Sequence, residues 1–173
     1  YYDTTGFDNT YLGTDAGNLS QGGMENTAVG YSSFYSNLSG NYNTAVGSSS
    51  LSGNSTGANN TACGAGALYL NSSGSYNTGV GFRTLELNTT GSNNTATGEY
   101  ALAGNTTGNS NTATGNVALR NNTTGSSNTA SGFAAMNASF GGSSNTATGT
   151  LSLYWNDGNR NTATGDSSLF NNS

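Results

Sequence analysis

The chain of 173 residues is long enough for one domain and nearly uncharged, with three basic and eight acidic side chains, no histidine and no proline. Three scattered arginines, Arg83, Arg120 and Arg160, exclude the clustered basic footprint of a nucleic-acid binder, and no apolar run approaches the length of a membrane span. A lone cysteine, Cys63, excludes a disulfide framework; in a slot where other copies carry valine it reads as a small core residue.

Hydrophobic content of 32% would suggest disorder, but disorder usually comes with high charge, and charged residues here are only 6%. Order comes instead from repetition. The pair Asn-Thr recurs at Asn9, Asn26, Asn43, Asn60, Asn77, Asn94, Asn111, Asn128, Asn145 and Asn161. The spacing is 17 residues each time but the last, where it is 16. In chain order, residues 1–8 fit the second half of a repeat. Full coils start at 9, 26, 43, 60, 77, 94, 111, 128 and 145, and residues 161–173 form a partial coil. One repeat domain therefore covers residues 1–173, with no linker.

Positions are counted from the Asn. The consensus is N-T-A-x-G-x-x-A-L-x-x-N-x-T-G-x-x. Seventeen residues are too few for a helical hairpin repeat, and two fixed glycines per copy break any helix. The pattern predicts an all-β parallel β-solenoid, a β-roll of about ten 17-residue coils. Positions one to four form a strand, the glycine at position five turns a corner, positions seven to eleven form a second strand, and "N-T-T-G" makes a longer turn. Coils stacked at ~4.8 Å give a rod of roughly 48 Å.

Identical columns have a structural use. Asn26, Asn43, Asn60, Asn77, Asn94, Asn111, Asn128 and Asn145 form a candidate amide ladder of the kind that stabilises stacked β structure. Gly30, Gly47, Gly64, Gly81, Gly98, Gly115, Gly132 and Gly149 are the corner glycines, expected at positive φ or at a close approach.

Side chains alternate along a strand, so Ala101 and Leu102 should point opposite ways. Two arrangements follow. In the preferred one the small columns at positions three and eight line a narrow roll. The column Phe34, Leu51, Leu68, Leu85, Leu102, Leu119, Met136, Leu153 and Leu169 then lies outside the single chain. An apolar column that long should not stay in water, and burial between chains of a closed cyclic oligomer is the usual solution. In the other arrangement the Leu column is inside, one chain stands alone, and positions two and four form a flat polar strip. That strip reads "TAT" at Thr95–Thr97, Thr112–Thr114, Thr146–Thr148 and Thr162–Thr164.

The stretch "NTAVGYSSFYSNLSGNYNTAVG" resembles the head repeats of trimeric autotransporter adhesins, and related bacterial or phage surface-fibre repeats. The matching pieces are Ala28-Val29-Gly30 and Ala45-Val46-Gly47, small Ser33 and Ser50, and later Gly40 and Gly57; "GTDAG" at Gly13–Gly17 is especially similar. The resemblance implies a left-handed, homotrimeric roll on a bacterial surface. The present repeat is longer, and Thr fills the second position where that family prefers Val.

The functional expectation is a non-enzymatic, structural extracellular fibre or filament segment with a surface-adhesion role. Its partners are itself, as homotrimer or head-to-tail filament, and a host matrix or glycan, reached through aromatic and Asn-rich loops that include Tyr1, Tyr2, Tyr35, Tyr42, Tyr69, Tyr76, Tyr154 and Trp155. No nucleic acid, membrane span, cofactor or metal is expected, since the acids are scattered and there is no histidine for base or ligand chemistry. The alternative is an ice-binding solenoid using Thr95, Thr97, Thr112, Thr114, Thr146 and Thr148, a strip interrupted earlier by Leu12, Val29, Val46, Cys63 and Val80. Sequons at Asn37, Asn54, Asn71, Asn88, Asn105 and Asn122 would make a sugar-coated rod in a glycosylating host, or are simply the turn sequence.

Overall fold

A computed structural model describes residues 8–19 and 22–172. The half-coil expected over residues 1–8, with Tyr1 and Tyr2, lies outside the described residues except for Asp8. The strands are β1 (Thr10–Leu12), β2 (Thr27–Val29), β3 (Thr44–Val46), β4 (Thr61–Cys63), β5 (Thr78–Val80), β6 (Thr95–Thr97), β7 (Thr112–Thr114), β8 (Thr129–Ser131), β9 (Thr146–Thr148), β10 (Trp155–Asn156), β11 (Thr162–Thr164) and β12 (Asn171–Asn172). Among the described residues there is no helix. Ten strands form one parallel sheet in the order β1 to β9, then β11; β10 and β12 pair separately. The fold is thus an all-β parallel β-solenoid.

Each strand pairs with its copy one repeat on, so columns of the sequence become columns in space. Thr95 lies against Thr112, Ala96 against Ala113 and Thr97 against Thr114. The short repeat does not break the register. Thr162 still pairs with Thr146, so the preceding loop absorbs the missing residue.

Apart from the two-residue pairing of β10 with β12 at positions eleven and twelve of the last two coils, the strand expected over positions seven to eleven is not formed. The backbone there turns, and positions seven and nine adopt positive φ, as at Ser49 (55°) and Leu51 (50°) or Tyr100 (53°) and Leu102 (54°). A non-glycine residue in this region is disfavoured by about 1–2 kcal/mol. Burying a Leu side chain contributes about 1.5–3 kcal/mol, which offsets it. The position-nine column also avoids β-branched residues, which tolerate positive φ worst, whereas position seven admits Val117 at φ 52°. Its backbone groups still find partners in adjacent coils: the Tyr100 N–H donates to the Phe82 carbonyl at 2.9 Å and the Leu102 N–H to the Ala118 carbonyl at 2.9 Å.

This turn overturns the choice between the two arrangements. Alternation holds only for extended backbone. With positions seven and nine at positive φ, neighbours at eight and nine both point inward: Ala101 and Leu102 are each 0% exposed. Phe34, Leu51, Leu68, Leu85, Leu102, Leu119, Met136 and Leu153, expected between chains, are all buried within one chain; Leu169, in the last coil, is half exposed. The apolar column that called for a cyclic oligomer is each chain's own core.

The core is adjusted coil by coil. In the first coil the small third position is Tyr11 and the Leu position is Gly17. A Cβ on Gly17 would lie 2.6 Å from the Tyr11 ring, so the two exchanges compensate and the ring packs against the core cluster. In the coil starting at 77, Thr84 takes the eighth position and Gly79 the third. A Cβ on Gly79 would meet the Thr84 Oγ1 at 3.1 Å.

Candidate functional site

Inside the roll the fixed polar residues form two ladders. In the first, the Asn94 Nδ2 donates to the Asn77 Oδ1 at 3.1 Å and to the Gly108 carbonyl at 2.9 Å. The Asn94 Oδ1 accepts from the Asn111 N–H at 2.9 Å and the Asn111 Nδ2 at 3.1 Å. The same pattern links Asn9, Asn26, Asn43 and Asn60, and recurs at Asn128 and Asn145. Each amide is buried and satisfied, which is the condition for an interior polar group to stabilise.

Sequence reading missed the second ladder. It runs through the sequon asparagines: the Nδ2 groups of Asn54, Asn71, Asn88, Asn105 and Asn122 each donate to the Oδ1 one coil earlier, at 2.7 to 3.0 Å. All six sequon asparagines are 0% exposed, so the folded coil leaves no room for a glycan on them. The missed signal was an Asn as regular over those six coils as the one at position one. Ser139 breaks the column, and both the Asn122 Oδ1 and the Ser139 Oγ are buried without a hydrogen-bond partner.

The corner glycines stand at φ between 118° and 138°, a region open essentially to glycine alone. They also stand close against the next coil: a Cβ on Gly98 would lie 2.6 Å from the Gly115 carbonyl oxygen.

Two outer faces remain. The first is the ten-stranded sheet, where positions two and four point outward. Thr95, Thr97, Thr112, Thr114, Thr129, Ser131, Thr146, Thr148, Thr162 and Thr164 are all exposed. Leu12, Val46, Cys63 and Val80 share that face, Val29 is half-buried there, and Cys63 is exposed, not a core residue. No charged residue stands at positions two or four.

The second face is formed by positions six, seven and ten, and it collects aromatic and charged side chains. Phe82 meets Tyr100 edge-on with centroids 5.4 Å apart, and Tyr154 stacks on Phe170 at 5.1 Å. The Arg83 guanidinium lies 5.4 Å from the Phe82 ring centre and that of Arg120 4.9 Å from the Tyr100 ring centre. Arg83 also pairs with Glu86 at 3.4 Å. Among the described residues no group of three His, Cys, Asp or Glu side chains is placed to hold a metal ion, and no helix is long and apolar enough to cross a membrane.

These features define the class, a parallel β-solenoid consistent with repeat-type fibre proteins. Comparison with known protein families, with curated proteins and with solved structures finds no match for this chain.

Proposed function

We propose that the chain is a structural, non-enzymatic segment of an extracellular fibre of the adhesin-head type, a stiff rod that holds surface side chains at regular height and adheres through them. The supporting observation is the unbroken register of ten rungs, backed by one buried amide ladder and by a second that runs from Asn37 to Asn122. Each chain completes its own core, so the rod does not need a threefold bundle to bury the column from Phe34 to Leu153. Its turns are tied coil to coil as well: the Thr89 N–H and Oγ1 both donate to the Thr106 carbonyl, at 3.0 and 2.9 Å. Proteases need several residues of freed, extended chain, which such turns yield only by local unfolding. Prolonged digestion with a non-specific protease is expected to leave the stacked coils from Thr27 to Thr164 uncut. Prompt cleavage at the "N-T-T-G" turns would remove the rod reading.

A second reading is favoured by the Thr face. It is uncharged and in register, with rungs ~4.8 Å apart and outward positions ~6.6 Å apart along each strand. Val46 and Val80 in the earlier coils keep the shape of Thr, while Leu12 and Cys63 interrupt the column. On this reading the purified chain shows thermal hysteresis and Thr112→Tyr, in the middle of the strip, removes most of it. No hysteresis at high protein concentration ends this reading and leaves the fibre.

A further inference from the structure

A groove of about 360 Å³ opens on the second face where three coils meet. Its origin is local. In the coil starting at 60, positions six and seven are Ala65 and Gly66, a very small pair, while the next coil carries Phe82 and Arg83 there. Gly66 has φ +68°, and a Cβ on it would reach within 3.1 Å of the Arg83 Cγ, so the depression depends on the missing side chain. Tyr69 and Phe82 line it and are 40% and 44% exposed. Phe82 is held in place by Arg83 on one side and Tyr100 on another. Glu86 completes the lining beside Arg83, its partner at 3.4 Å.

That combination is the chemistry of sugar recognition. Aromatic rings offer a face for the C–H side of a pyranose, and planar charged groups take pairs of neighbouring hydroxyls: a guanidinium has five donors and a carboxylate about four acceptor sites. The volume sits at the small end of ligand pockets, which span roughly 300–1,000 Å³ with apolar walls and a few convergent polar groups. Arg83 and Glu86 balance each other, and the whole chain carries a charge of −5, which disfavours acidic ligands. Resting on the surface-adhesion reading, we propose that the groove between Tyr69, Phe82, Arg83 and Glu86 binds one neutral hexose unit of an extracellular oligosaccharide.

The test is an amide NMR titration of the isotopically labelled chain with cellobiose, maltose and lactose in turn. The expected result is saturable shifts with at least one sugar, centred on Gly66, Tyr69 and Arg83. Affinity should fall at least tenfold in both Phe82→Ala, which removes an aromatic wall, and Ala65→Gln, which fills the groove from an exposed position. Neither position is buried in the core, so the remaining amide spectrum reports an intact fold. Absence of saturable shifts with all three sugars, or shifts that persist in either variant, overturns the proposal. A protease-resistant rod that binds none of these sugars would sink the groove and leave the rod standing, whereas a protease-labile chain would sink the rod itself.

Discussion

Gly98→Ala is expected to lower stability by about 4 kcal/mol or more, beyond the usual range for a point substitution. Two causes act together. At φ +126° an alanine is strained wherever it stands. Its Cβ would also lie 2.6 Å from the Gly115 carbonyl oxygen and 2.7 Å from its carbon. Those are backbone atoms of the next coil and cannot swing aside. Relief requires lifting the coils apart, against the Thr95 N–H bond to Asn111 and the Gly115 N–H bond to Thr97, each 2.8 Å. Gly165→Ala separates the causes. Gly165 has φ +118°, but no atom lies within 4 Å of its Cβ position, so only the strain of about 1–3 kcal/mol applies. Thermal midpoints, with amide exchange at Thr97 and Thr114 to localise the damage, measure both. Equal losses in the two variants would mean that coil contact is not why the column is glycine.

The second ladder should respond in both directions. Asn105→Ala removes the 2.7 Å bond to the Asn88 Oδ1 and the 3.0 Å bond to the Gly108 carbonyl. It also takes away the Oδ1 that the Asn122 Nδ2 uses at 3.0 Å, and leaves a void where water has no route in. A loss of about 2–4 kcal/mol is expected. Ser139→Asn is the converse. A longer amide there should reach the Asn122 Oδ1, now buried without a partner, and stabilise by about 1 kcal/mol. Urea titration of the two variants against the parent reads both signs. A destabilised Ser139→Asn would show that the ladder ends at Asn122 for a packing reason.

Asn105 also shows how a motif can mislead. As a sequon it reads as an exposed acceptor; as a column it reads as a rung. The structure places its side chain at 0% exposure, and the deciding signal was its regular return every 17 residues from Asn37 to Asn122, not the three-residue pattern around it.

Periodicity alone carried the fold class, the Asn column at position one and the glycine corner, and it placed over positions one to four the strand that forms over two to four, because a stacked repeat turns every column of sequence into a column in space. The outward Thr strip was legible only as part of the less favoured of two arrangements, because Leu, Val and Cys beside the fixed Thr read poorly as an exposed face. The inside of the roll was decided elsewhere. Strand alternation gave Ala101 and Leu102 opposite faces, a rule that holds only while φ stays negative and extended. Leu102 at φ 54° breaks it, and no single residue type announces that choice, since leucine is ordinarily poor in this conformation. What makes it favourable is the closed coil around it: the Ala118 carbonyl of the next coil accepts its N–H, the Asn105 N–H donates to its carbonyl, and its side chain is fully buried in the core. That cooperation exists only once the coils are stacked. The groove over Gly66 has the same character, since its walls come from three coils whose residues lie apart in sequence and meet only in the roll.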